Sequence, residues 1–423
     1  MAAQEFHFRH FLATIGTSNL AMGLHTVLYP WLVVGVLQES PSRLGLAQLA
    51  VLLPNLLFIL PGGVISDRRH RGSWLSRLYL LYCFPIAILA VAALSGELTF
   101  SLLLMFGMVF GTVSAFVQPA RESLLGYTSQ DIMHQAVAKV VMVQFIAQGI
   151  GFILAGQLDT FGLIALLIVQ MLMFMFSSVL IKRSHPQLAV ATDLADIDDE
   201  SSVESTSESA GKSASEERRE SLQQLRAGFA LFLTDKALLH LLLLVTATGF
   251  LAFGVYLVGM PLLAREAYQG GAGLYATLQV TFTLGIVVAN FVVSRQKNTF
   301  QRPGRLMIIS FLGRGGLVAV IALLPNFWIL LPVIFVWGAF SGMSMTLGRT
   351  ILHNQVPHSH RSRAASVYQL CLFAGAPLGA WACGFAIEQV GLAQTFTVIA
   401  GLTLLVSVIA TMSPLWALRA TNN

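Results

Sequence analysis

The stretch Ala21-Met22-Gly23-Leu24-His25-Thr26-Val27-Leu28-Tyr29-Pro30 returns 231 residues later as Ala252-Phe253-Gly254-Val255-Tyr256-Leu257-Val258-Gly259-Met260-Pro261, its glycine and proline in register. Further along, an offset of 228 superposes Val64-Ile65-Ser66-Asp67 on Val292-Val293-Ser294-Arg295 and Arg77-Leu78 on Arg305-Leu306. The same offset matches Arg121 to Arg349, Gly151 to Gly379 and Gly156 to Gly384. Any one match is weak, but a near-constant offset over five elements marks an internal duplication.

The duplicated material is apolar. The chain is 56% hydrophobic and 11% charged over 423 residues, with a mean hydropathy of +0.74. Apolar runs of about 20 residues, the length that crosses a bilayer as a helix, recur from end to end. In lipid every backbone N–H and C=O must be satisfied within its segment, and the runs are too long and too uniformly apolar for barrel strands. The expected fold is therefore all-α and polytopic. Spans are expected near 11–37, 43–66, 76–96, 98–120, 136–158, 161–181, 236–259, 271–294, 304–324, 326–347, 364–387 and 394–415. No small-residue cleavage site precedes the first of them, so it is expected to stay in the mature chain.

Twelve spans put both termini on one side. With that side cytoplasmic, 21 of the 25 lysines and arginines fall on inner segments, against Arg43 and Arg265 outside and Lys139 and Arg314 within spans. This asymmetry sets the orientation and accounts for the net charge of +5 without a nucleic-acid partner. The three cysteines (Cys83, Cys371, Cys383) all fall inside expected helices, where they read as small packing residues and not as a disulfide framework.

Between the sixth and seventh spans the composition breaks. Residues 193–220 hold ten of the chain's 20 acids and almost no large apolar residue, the signature of a disordered linker. Leu222, Leu225, Phe229 and Phe232 then recur at helical spacing, as in an interfacial helix. The expected organisation is a six-helix half over 1–181, a cytoplasmic acidic linker with that helix over 182–235, and a second six-helix half over 236–423. Six plus six helices in parallel topology is the plan of one large class of secondary transporters.

At this point Gly62-Gly63-Val64-Ile65-Ser66-Asp67-Arg68-Arg69-His70-Arg71-Gly72 becomes legible. It resembles the signature of the major facilitator superfamily between helices 2 and 3, with Gly63, Asp67, Arg68 and Arg71 on the Gly-x-x-x-Asp-Arg-x-Gly-Arg positions. His70 stands where the superfamily usually has its second glycine. Gln118-Pro119-Ala120-Arg121, and Gln355-Val356-Pro357 followed by Arg361 and Arg363, are similar to the branch that contains enterobactin and macrolide exporters. The resemblance implies a cytoplasmic gate at Gly63, Asp67, Arg68 and Arg71, in which Asp67 bonds to the other half and releases as the protein opens inward. Arg121 and its repeat mate Arg349 join that gate.

Polar groups near mid-span are the candidates for a substrate path, because each is costly in lipid. They are Asn19 and His25 in the first span, Gln144 and Gln148 one turn apart in the fifth, Tyr256 (the repeat mate of His25), Gln279 and Arg314. Interhelical hydrogen bonding alone also accounts for an Asn or Gln. Arg314 lies too deep to snorkel, and pairs either with a substrate anion or with a backbone carbonyl. No Asp or Glu lies mid-span in the first half, the superfamily's helix-4 arginine falls at Gly107 and is absent, and the glycine motif Gln148-Gly149-Ile150-Gly151…Gly156 lacks its usual proline. His25, the one histidine near mid-membrane, is left as the coupling residue if a proton is the coupling ion.

His353, His358 and His360 read as interfacial side chains and not as metal ligands, and Gly313-Arg314-Gly315-Gly316 lacks the strand and Lys-Ser/Thr of a nucleotide loop. No cofactor or metal is expected, and no ATPase module. The expectation is a monomeric secondary transporter of the bacterial cytoplasmic membrane. It would export amphipathic or hydrophobic small molecules by alternating access, coupled to protons. The alternatives are uptake, lipid (lysophospholipid) transport, or a non-transporting sensor that signals through the acidic linker. An intramembrane enzyme is disfavoured, since no paired carboxylates, His pair or Ser/His arrangement sits at mid-span.

Overall fold

The computed structural model describes residues 7–68, 71–125, 133–184, 232–295, 301–356 and 360–418. The acidic stretch and most of the expected interfacial helix lie outside the described residues. Twelve long helices occur among the described residues: α1 (Phe8–Trp31), α2 (Pro41–Arg68), α3 (Arg71–Ser95), α4 (Phe100–Leu125), α5 (Met133–Gly156), α6 (Leu163–Ser184), α7 (Lys236–Gly254), α8 (Ala272–Arg295), α9 (Pro303–Ala322), α10 (Phe327–Gln355), α11 (Arg361–Val390) and α12 (Leu392–Thr411). No strand occurs among the described residues. Eleven of the helices, all but α2, are long and apolar enough over described residues to cross a membrane.

Local chemistry sets several of the ends. Asp235 caps α7, its carboxylate accepting from the N–H groups of Ala237 (2.7 Å) and Leu238 (3.3 Å). Asn326 caps α10 through the N–H of Ile329 (3.1 Å). Most ends fall within five residues of expectation, but α10 runs on to Gln355 where a span ending near 347 was expected. Hydropathy registers only the apolar part of a helix, and Arg349-Thr350-Ile351-Leu352-His353-Asn354-Gln355 continues the same helix in mostly polar residues around the buried Ile351 and Leu352.

The duplication reappears in backbone detail. α1 opens into a wide π-type turn at Leu32–Val36, and α7, after a first such turn at Val255–Gly259, does so again at Leu263–Ala267, 231 residues on. Each turn is followed by a left-handed glutamine, Gln38 (φ 54°) and Gln269 (φ 48°), at the same offset. The other positive-φ residues also pair: Gly96 (φ 73°) with Leu324 (φ 48°) after α3 and α9, and Gly162 (φ 77°) with Gly391 (φ 88°) before α6 and α12. These are helix-ending left-handed positions.

Within each half, α1 packs on α5 and α6, α2 on α4, and α3 on α6; the second half repeats the scheme with α7 on α11, α8 on α10 and α9 on α12. The halves meet through α2 against α11 and α5 against α8. Small residues make these seams. A Cβ at Gly384 would fall on the Pro41 carbonyl, and one at Gly156 would lie 2.7 Å from the Ala276 Cβ. Gly156 and Gly384 are repeat mates, as are Gly151, tight against α1, and Gly379, tight against α7.

The helices run alternately, so α2 and α8 begin, and α5 and α11 end, on the side away from the linker, here called the far side. There the buried core is continuous between the halves, joining Trp31, Leu44 and Ala155 to Tyr275, Ala276 and Ala380. Toward the linker the second half has a separate core of its own, built on Leu241, Phe311, Ile351 and Tyr368. Among the described residues, the buried core joins the halves on the far side and does not join them on the linker side.

Candidate functional site

The far-side closure is polar as well as apolar. Ser42 N–H, in the first turn of α2, donates to Glu388 Oε2 at the end of α11 (3.0 Å), so a carboxylate from one half sits on a helix N-terminus of the other. Arg265 Nη1 donates to the Glu39 carbonyl (3.4 Å), and Arg43 pairs with Glu39 (2.5 Å). One layer deeper, Tyr275 OH on α8 donates to the Thr26 carbonyl on α1 (3.3 Å), and its ring stacks beside Trp31.

Below this roof the expected mid-span residues separate into groups. Gln279 is fully buried, donates through Nε2 to Tyr275 OH (2.9 Å), and leaves Oε1 without a partner. The Tyr256 hydroxyl neighbours Gln279, and its ring packs on Phe282, which in turn meets Trp337 edge-on at 4.9 Å. Gln279, Tyr275 and Tyr256 therefore form one polar cluster on α7 and α8, joined to α1 through Thr26.

His25, the repeat mate of Tyr256, is also enclosed by rings. It is 8% exposed, stacks on Phe110 at 3.7 Å, and has Tyr29 and Phe106 at 5.3 and 5.8 Å. Tyr29 is anchored by its hydroxyl to the carbonyls of Ala47 and Leu103, both at 3.1 Å. Asn19 turns its amide onto the Ile15 carbonyl (2.8 Å), so its polarity is spent within α1. Gln144 and Gln148 are partly buried on α5, with the Gln148 backbone against Gly23 of α1.

Arg314 stands apart from these groups. It is 4% exposed and lines a small cavity with Ala247, Thr248 and Leu251 of α7, Phe311 of its own helix α9, and Thr403 and Val406 of α12. Of the two expected partners, a substrate anion or a backbone carbonyl, no carbonyl is found among the described residues: Nε has no hydrogen-bond partner, and the guanidinium lies over the Phe311 ring at 4.5 Å.

Of the gate residues, Asp67 and Arg68 fall in the last turn of α2 and Arg71 opens α3. The side chains of Asp67, Arg68 and Arg71, and the packing at Gly63, lie outside the described residues. Next to them, Gly62 is the close approach, where a Cβ would sit 2.7 Å from the Ala115 carbonyl of α4. Arg121 is partly buried at the linker end of α4, and Arg349 is exposed near that of α10.

Among the polar pairs that escaped the sequence reading, two are repeat-related. Asn55 of α2 donates to Ser114 of α4 (3.3 Å), and Thr346 of α10 donates to Asn290 of α8 (2.8 Å). Each ties together the same two helices in its half, and a single Asn within an apolar run was the available signal.

The fold is shared with solved transporters of low identity. A peptide transporter of the POT family, solved in an auto-inhibited state, superposes with a TM-score of 0.70 at 13% identity over 98% of each chain. The nucleoside transporter NupG gives 0.67 at 13% identity over 96% of this chain and 98% of its own. A bacterial homologue of the human lysosomal transporter Spinster, in an inward-facing and occupied conformation, gives 0.62 at 15% over 97% and 96%. No curated protein sequence matches the chain. The family model MFS_3, transmembrane secretion effector, matches residues 3–423, and the chain belongs to that family as an integral membrane transporter of the major facilitator type.

Proposed function

We propose that the protein is a proton-driven exporter of amphipathic or hydrophobic small molecules, working as a monomer in the bacterial cytoplasmic membrane with both termini inside. The observation that carries this reading is the divided core: among the described residues the buried core joins the halves on the far side and not toward the linker. With the linker cytoplasmic by its lysines and arginines, this is the state that loads from inside. The substrate would meet Tyr256, which is only partly buried, and, as the halves rock, the rings of Phe282 and Trp337 and the amide of Gln279 packed beneath it, a lining suited to a largely apolar molecule with few hydrogen-bonding groups. Rocking the halves would open the far-side seam and close the linker side. Asp67, with Arg68, Arg71, Arg121 and Arg349, would latch the closed linker side. His25 is the one histidine in the middle of a described span, and is the proposed site of proton exchange.

The test is intracellular accumulation of a panel of fluorescent hydrophobic compounds in efflux-deficient cells. Wild type is expected to lower accumulation of at least one compound, and the difference is expected to vanish with Asp67→Asn or a protonophore. Higher accumulation with wild type would make the protein an uptake carrier. No difference for any compound would remove the broad-efflux reading.

A further inference from the structure

Arg314 presents a physical problem that the transport cycle does not solve. Its guanidinium is buried at the middle of α9, level with Thr248 of α7 and Thr403 of α12. Burying a charge without a counter-charge is expensive, and such a charge is ordinarily paired. Yet α7, α8, α9, α10 and α12 contain no aspartate or glutamate at all, and the one in α11, Glu388, lies at its far-side end. The remaining acids of this half, Asp235 and Glu266, lie beyond the two ends of Lys236–Gly254, and among the described residues no carboxylate pairs with Arg314.

The fold does not require a charge there. At the 228 offset that aligns Arg77 with Arg305, the mate of Arg314 is Ile86, an apolar residue with no exposed surface. The arginine also sits where the core of the second half is interrupted, between Phe311 on one side and Val318 on the other. At that level lies a cavity lined by Arg314, two threonines and apolar residues. Each hydroxyl now donates to its own helix, Thr248 to Leu244 (2.9 Å) and Thr403 to Ile399 (2.7 Å). A χ1 turn would redirect either O–H into the cavity.

We propose that Arg314 forms the binding site of a single monoanion between α7, α9 and α12, taking either a chloride-sized ion or the carboxylate of a single-chain amphiphile. The charge-assisted N–H donors supply the attraction; the cavity at rest is about the size of one water, so α7, α9 and α12 must part slightly to admit a monoanion, and a polyanion would require far more. The site belongs to the second half alone, so it is independent of the exporter reading and needs no transported substrate to be measured.

The test is thermal unfolding of the purified full-length protein in nanodiscs of phosphatidylcholine, free of anionic lipid. Sodium chloride is compared with sodium gluconate at equal ionic strength, and decanoate with decanol. The wild-type midpoint is expected to rise by a few degrees, in a concentration-dependent way, with chloride over gluconate or with decanoate over decanol. The first result identifies a free inorganic ion as the ligand and the second an amphiphile headgroup. Arg314→Met is expected to lose the response and to have a higher midpoint than wild type in gluconate, because it removes an uncompensated buried charge. Arg314→Lys is expected to keep the response. A wild-type midpoint indifferent to every anion would overturn the proposal, as would an Arg314→Met protein that fails to fold or that keeps the response.

Discussion

Replacing Gly384 by leucine is expected to cut transport by one to two orders of magnitude while leaving the protein folded in the membrane. Gly384 brings α11 against the Pro41 carbonyl and Gly45 at the start of α2, backbone against backbone. A leucine finds no flexible side chain there to push aside, so the seam itself must part. Overpacking of this kind costs about 1–3 kcal/mol in well-packed cores. Charged to one conformation only, that biases a two-state equilibrium by about 5- to 150-fold. The bias favours the state with the far side open. Gly401 supplies the control, since a Cβ there meets nothing within 4 Å, and Gly401→Leu is expected to transport as wild type. Accumulation assays on membranes with matched protein levels read both variants. Equal activity of Gly384→Leu and wild type would show that the α2–α11 seam does not open and close during transport.

Replacing Phe110 by alanine is expected to give the largest loss of stability. Its ring is 1% exposed, with His25 at 3.7 Å, Tyr82 at 4.5 Å, Phe106 at 5.5 Å and Phe174 at 6.3 Å. One side chain thus joins α1, α3, α4 and α6. Phenylalanine-to-alanine changes in buried cores cost about 3–5 kcal/mol. About 3 kcal/mol is expected here, because in a bilayer packing contributes and apolar transfer largely does not. The same change strips His25 of its stacking face, so proton-dependent transport is expected to fall along with the unfolding midpoint. Phe110→Leu is expected to recover most of the midpoint, since it keeps most of the packing contact. An unchanged midpoint in Phe110→Ala would mean that the four-helix aromatic cluster does not hold the first half together.

How much of this was legible beforehand divides by the physics of each feature. Span number and position were legible because the bilayer imposes a length of apolar chain, and the helices fall close to that expectation, apart from the polar continuation of α10 to Gln355. The repeat was legible as matched residues, including Gly156 with Gly384 and His25 with Tyr256. What those residues touch was not. Nothing in the sequence says that Gly156 faces α8 while Gly384 faces α2, since that depends on how two halves of the same plan dock. The wide turns at Leu32–Val36 and Leu263–Ala267 were invisible for a similar reason: hydropathy follows how apolar a helix is and not its hydrogen-bond register. At the site, mid-span polarity named Gln279 and Tyr256, which lie side by side, but it could not separate Asn19, whose amide N–H bonds within its own helix, or Arg314, placed against α12. Tyr275, which supplies one of the hydrogen bonds between the halves, was passed over because a tyrosine near a span end is ordinary.

The central claim is that the far-side seam opens and recloses as the substrate passes. Spin labels at Phe161 in the first half and Leu323 in the second, both exposed near the far-side helix ends, report its width directly in a background lacking Cys83, Cys371 and Cys383. With the protein in nanodiscs and a compound from the accumulation panel that it exports, pulsed dipolar spectroscopy is expected to show two distance populations. The shorter corresponds to the closed seam described here; the longer should gain weight with compound and dominate in Gly384→Leu. A single distance, unchanged by compound in a protein shown to transport it, would contradict alternating access at this seam.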